Sequence, residues 1–222
     1  MAIAPRRMTP GGRLITFEGG EGAGKSTQLK HLAASLKARG GAVVTTREPG
    51  GTAAAEAVRA LLLGGAPDRW TPMSETLLVQ AARYDHVVRV IAPALAAGEW
   101  VLCDRFSDST RVYQGIAGEL GLDLIDLLHR AIFGDLAPDL TLILDLPVAI
   151  GLARRHAAQA GDRFEHKPAA YHERVRDGFL AVARAEPARC VVIDAAGSEG
   201  EVAARVRAAV SQRFGLALCG GR

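Results

Sequence analysis

A chain of 222 residues, 49% hydrophobic and 23% charged, has the composition of one sizeable soluble α/β domain. The net charge is only +3, aromatic side chains make up 5%, and no basic stripe is concentrated anywhere, so nucleic acid is not an expected partner. Arginine carries most of the positive charge, Lys25, Lys30, Lys37 and Lys167 being the lysines, and scattered arginine forks suit small anionic substrates.

Residues 1–12 are basic and turn-rich without an apolar h-region, and read as a flexible tail rather than a signal peptide. Residues 13–222 read as a single domain. Leu14–Phe17 is a short apolar run, expected as a buried strand, and Lys25–Arg39 has helical period with Gly40-Gly41 as its stop. The pattern then repeats. A strand is expected over Ala42–Thr46, helices over Ala53–Leu63 and Met73–Ala97, and a strand over Trp100–Cys103. A helix over Leu120–Phe133, a strand over Leu140–Leu144 and helices over Val148–Ala158 and Pro168–Ala185 follow. Cys190–Ile193 and Glu199–Phe214 supply the last strand and helix. Strands alternating with helices predict an α/β fold, a five-stranded parallel sheet between two helical layers. The longest apolar stretches are interrupted by Arg89, Pro93 and Gly98, so no membrane span is expected. Cys103, Cys190 and Cys219 show no metal-ligand spacing, and their odd number points to a reducing, cytoplasmic compartment.

The first strand leads into Gly19, Gly20, Glu21, Gly22, Ala23, Gly24, Lys25 and Ser26, which fits G-x-x-x-x-G-K-[ST]. Strand before and helix after are the context in which that pattern cradles phosphate. Glycines let the backbone aim N–H groups at phosphate oxygens, and the helix adds its positive end. Lys25 is expected on the β- and γ-phosphates of ATP and Ser26 on Mg²⁺, with Thr27 closing the ATP site. Ligands of such sheets bind beyond the carboxyl ends of the strands. The polar residues there are Glu18, Arg47-Glu48, Asp104-Arg105, Asp145 and Asp194. Asp104 is either a magnesium partner or an N-cap, and Arg105 either grips a second phosphate or pairs with a carboxylate. A guanine-reading Asn-Lys-x-Asp is absent, which counts against a GTPase switch.

Three motifs together resemble the bacterial thymidylate kinase family. They are Phe17-Glu18-Gly19 through Lys25-Ser26-Thr27, Thr46-Arg47-Glu48-Pro49-Gly50-Gly51-Thr52, and Asp104-Arg105-Phe106-Ser107-Asp108-Ser109-Thr110 through Tyr113-Gln114-Gly115. The likeness runs from about Arg13 to near the C-terminus. It implies a P-loop NTPase fold with a mobile lid at about residues 154–166, and transfer of the ATP γ-phosphoryl to dTMP. It implies that Arg59 and Arg105 grip the dTMP phosphate, that Arg83 and Thr110 meet the base, and that Tyr113 packs beneath the deoxyribose. Ser109 and Gln114 border that pocket, and Glu48-Pro49 shapes it through a cis bond. Glu21 lies near the 3′-hydroxyl or meets a lid arginine, and Arg154 or Arg155, with Arg163, closes over the transferred phosphate. Asp194–Ser198 lines the adenine. Homodimerisation is also implied, the helix Met73–Ala97 offering one face. The chain departs from the family at Val79, four residues before Arg83, where the resemblance implies a phenylalanine that stacks on the base. Phe17 and Phe106 lie elsewhere in the sequence. Another nucleoside or nucleotide kinase on the same scaffold is the neighbouring reading.

Overall fold

All five apolar runs form strands of one parallel sheet, in the order β2-β3-β1-β4-β5. They are β1 (Arg13–Glu18), β2 (Val43–Arg47), β3 (Trp100–Asp104), β4 (Leu140–Asp145) and β5 (Cys190–Asp194). The computed structural model describes residues 11–66, 68–157, 163–164 and 167–218. Most of the expected tail, residues 158–162 and 165–166 of the expected lid, and Cys219 lie outside the described residues.

Strands buried on both faces need a helical layer on each. Ile15, Phe17, Leu102 and Leu142 pack beneath Leu29, Leu32 and Leu36 of α1 (Lys25–Ala38) and Val202, Val206 and Val210 of α9 (Glu199–Phe214). The neighbouring residues point the other way. Leu14, Val101 and Cys103 meet Val87, Ile91, Phe106 and Phe133. Ile143 meets Val112, Tyr113, Val175 and Phe179. Each fully buried side chain of this size contributes about 1.5–3 kcal/mol relative to exposure.

The remaining helices are α2 (Ala53–Leu63), α3 (Pro72–His86), α4 (Ala92–Ala96), α5 (Ser107–Thr110), α6 (Leu122–Phe133), α7 (Val148–Ala157) and α8 (Ala169–Ala185). The single helix expected over Met73–Ala97 is in fact α3, a π-helical turn over Val87–Ile91, and α4. Pro93 has no N–H to give the Arg89 carbonyl, and the Ala92 N–H reaches five residues back to Val87. A second π-helical turn, Arg111–Ile116, follows α5, and the sequence reading did not foresee it. It ends with the Ala117 N–H on the Val112 carbonyl at 2.8 Å. Tyr113 and Gln114 stand on this widened turn.

Parallel register brings the polar strand ends together. Asp104 is level with Phe17 on one side and Arg47 on the other, and Glu18 with Ile143. The chain crosses from β3 over β1 to β4, so the order reverses beside β1, where ligands bind in such sheets.

Candidate active site

The loop between β1 and α1 is built by its glycines. Gly22 has φ 68, and a Cβ there would run into the Gly151 carbonyl of α7. Gly24 begins α1 in the left-handed region and leaves the first N–H groups without a side-chain cap. Such a helix start receives an anion. Lys25 folds back on this loop, its Nζ donating to Gly19 O at 3.1 Å and Gly20 O at 2.7 Å. Burial, and after it the Arg105 charge, lower the Lys25 pKa from 10.5 to about 8, against the pull of Glu21, Asp104 and Glu18. Ser26 Oγ donates to the Asp104 carboxylate, so the two expected metal partners converge.

Glu21 faces Arg105 in this conformation. Its Oε1 accepts from Arg105 Nη2 at 2.6 Å and from the Tyr113 hydroxyl at 3.0 Å. Burial opposes its charge, but Arg105, Lys25, Tyr113 and Arg155 hold its pKa down at about 2. The Arg105 guanidinium lies over the Tyr113 ring, 5.0 Å from its centroid. It also donates to Gly19 O and Ser109 Oγ, both at 3.2 Å. Burial works against this cation too, yet Tyr113, Glu21, Glu18 and Asp104 raise its pKa above the ordinary arginine value.

Arg83 is 2% exposed although it lines the cleft. Its Nε donates to Glu48 Oε2 at 2.6 Å, Nη1 to Gln80 Oε1 at 3.1 Å, and Nη2 to Thr110 Oγ1 at 2.9 Å and Phe106 O at 3.0 Å. Glu48 is held on its other oxygen by His86 Nδ1 at 3.0 Å, and His86 Nε2 meets Thr46 Oγ1 at 2.6 Å. The Glu48–Pro49 bond is cis, as the resemblance implies. Arg59 reaches from α2 to donate to Pro49 O at 2.9 Å.

These groups line one cleft of about 370 Å³, within the usual size of a small-molecule site. It gathers Glu21, Gly22, Gly24, Lys25, Ser26, Thr27 and Asp104. Arg59, Val79, Arg83, Ser109, Thr110 and Gln114 line it as well, with Glu48 and Pro49, and Arg105 and Tyr113 join the two groups through Glu21. Arg154 and Arg155 also line it. Gly19, Gly20 and Ala23 do not; their part is to carry the loop backbone. Arg163, expected to close over the transferred phosphate, lies outside the cleft lining in this conformation. Its guanidinium is buried against the Glu75 carboxylate and the Leu62 carbonyl. A buried cation needs such partners, and Glu75, which also accepts from Gln114 at 3.0 Å, provides one.

A family model described as thymidylate kinase matches residues 17–206. Over 205 residues the chain is 56% identical to the thymidylate kinase of Caulobacter vibrioides, covering 92% of this chain and 99% of that one. The chain belongs to the thymidylate kinase family. The thymidylate kinase of a Bradyrhizobium species is 51% identical over 218 residues, 96% of each chain. Among solved structures, thymidylate kinase from Ehrlichia chaffeensis superposes with a TM-score of 0.74 at 37% identity, covering 90% of this chain and 99% of that chain. Enzymes of this family phosphorylate dTMP to dTDP with ATP.

Five lining residues carry no assignment from sequence: Arg47, Leu62, Leu63, Phe106 and Phe164. Arg47 was legible as a strand-end residue, and it pairs with Glu56 at 2.9 Å. Leu62 and Leu63 belong to the last turn of an amphipathic helix and gave no signal. Phe106 and Phe164 stand in the same cleft as Val79. Aromatic rings therefore border the pocket from positions remote in sequence from the one that lacks a ring.

Proposed function

We propose that this cleft transfers the γ-phosphoryl group of ATP to dTMP, with the donor held by Gly19–Thr27 and the acceptor held between α2, α3 and the Arg105–Gln114 segment. The observation that carries the reading is Arg105. It links Glu21 of the phosphate loop to Ser109 and Tyr113 of the acceptor side within one cleft. In-line transfer asks little covalent chemistry of the protein and much positioning of cations. Lys25 releases the Gly19 and Gly20 carbonyls to meet the β- and γ-phosphates. Arg59 and Arg105 take the acceptor phosphate. Arg83, locked by Glu48, Gln80, Thr110 and the Phe106 carbonyl, keeps one Nη1 N–H for the base. Tyr113 underlies the sugar and disfavours a 2′-hydroxyl. Arg155, close enough to Glu21 to lower its pKa, completes the cationic wall from α7.

Ser26 and Asp104 offer a hydroxyl and a carboxylate side by side, hard oxygen donors that suit Mg²⁺ with its retained waters. Held by Ser26 and Asp104, a bound Mg²⁺ would supply neutralisation of phosphate charge. No helix among the described residues is long and apolar enough to cross a membrane. Free, buried Cys103 and Cys190 fit a reducing cytoplasm. Leu77 of α3, Val88 after it and Leu127 of α6 are exposed apolar side chains on elements that touch, and a homodimer would cover them.

A coupled ADP-release assay across dTMP, dUMP, AMP, GMP and thymidine tests the reading. The highest kcat/KM is expected with dTMP, and thymidine, which brings no phosphate to Arg59 and Arg105, is expected to be at least about a hundredfold poorer. Preference for AMP or GMP would assign the cleft to a different nucleotide kinase.

A further inference from the structure

Glu18 ends β1, one residue before the phosphate loop, and is fully buried. None of the nucleotide contacts assigned above uses it. Its Oε1 accepts from the backbone N–H groups of Phe106 at 2.8 Å and Ser109 at 3.2 Å, and its Oε2 from the Ser109 hydroxyl at 2.6 Å. These bonds seize both ends of the turn that follows Arg105. Arg105 itself sits at φ 69, a left-handed conformation that a non-glycine residue keeps only where its surroundings impose it. The Arg105 N–H donates to Phe17 O at 2.9 Å, and its guanidinium donates to Gly19 O and to the same Ser109 hydroxyl. Three consecutive residues of the donor side, 17 to 19, therefore hold Arg105 from its backbone to its fork.

We propose that Glu18 is a positioning residue: its buried carboxyl group pins the Phe106–Ser109 turn and so aims Arg105 at the acceptor phosphate. The inference rests on the dTMP kinase reading, which wild-type turnover tests separately before any variant is compared. What the position requires is reach and one acceptor oxygen for the Phe106 and Ser109 N–H groups rather than charge. Burial, and after it Asp108, raise the Glu18 pKa from 4.5 to about 7, so the neutral carboxyl is tolerated there.

Charge and geometry are separated by two variants, with dTMP and ATP varied in turn. Glu18→Gln keeps the length and one acceptor oxygen without the charge, and its KM for dTMP is expected within about threefold of wild type. Glu18→Asp keeps the charge but draws the carboxylate back by one bond. Its KM for dTMP is expected to rise at least about tenfold while its KM for ATP stays within about threefold. An unchanged KM for dTMP in Glu18→Asp overturns the proposal. So does an equal rise in both KM values, the mark of general disruption, or a Gln variant as impaired as the Asp variant. Should Glu18→Asp fail to fold, Glu18→Met decides, since it keeps the side-chain length, removes the acceptor for the Phe106 and Ser109 N–H groups and leaves every residue that lines the cleft unchanged. A selective rise of about threefold or more in the KM for dTMP supports the proposal, and an unchanged value contradicts it.

Discussion

Arg83 is as deeply buried as the leucines of the core, yet it lines the nucleotide cleft. Its charge is tolerable only because Glu48 sits against it and Gln80, Thr110 and the Phe106 carbonyl take three more of its five N–H donors. Replacing it by leucine strands the Glu48 carboxylate in the interior, with His86 as the remaining partner. Arg83→Leu is expected to lose about 3–5 kcal/mol of stability, read from the urea midpoint, and to raise the KM for dTMP. Glu18 gives the residue scale a pH signature. Its folded pKa of about 7 lies above the ordinary 4.5, so its favourable contribution is complete below about 4.5 and is lost as pH rises through 7. The charged and titratable groups around it are Asp108, Arg105, Lys25 and Cys103, with the Ser109 hydroxyl and Phe106 N–H as its donors. Glu18→Gln removes that titration, and its melting temperature is expected to gain on wild type between pH 5 and pH 8 by a few degrees. A constant difference across that range would contradict it. Residue roles were only partly legible. The glycines and Lys25 of the phosphate loop are fixed by chemistry at fixed spacing, whereas Arg163 looks the same in sequence whether it faces solvent, phosphate or, as found, Glu75.

At the scale of elements, the strands are legible in sequence because burial on both faces leaves continuous apolar runs; the structure extends four of them by one or two residues and shifts the second by one, from Ala42–Thr46 to Val43–Arg47. Helices were harder where their geometry changes. The π-helical turns arise from hydrogen bonds reaching five residues back, which hydrophobic period does not register. Ser107–Ile116 is polar at its start and holds Tyr113 and Gln114, so the element bearing much of the acceptor pocket was the one least visible as an element. The outer faces of α3 and α6 carry the exposed Leu77 and Leu127. A Leu77→Glu, Leu127→Glu double variant is expected to run as a monomer in light scattering while wild type runs as a dimer. A wild-type monomer would remove that interface from the account.

For the whole molecule, sheet order is what makes the site. Arg47, Phe17 and Asp104 are far apart in sequence and become level only because β3 lies between β2 and β1. Strand count and direction followed from alternating βα units, but this order did not. Nor did the meeting of Glu21 with Arg105 and Tyr113, separated by 84 and 92 residues. In the proposed reaction one cleft holds a donor and an acceptor nucleotide at once, phosphate toward phosphate. Isothermal titration with a dinucleotide joining adenosine and thymidine through five phosphates tests it directly. One molecule is expected to bind per chain, at least about a hundredfold tighter than dTMP alone, because both halves are engaged by one ligand. Binding no tighter than that of ATP or dTMP alone would contradict the account.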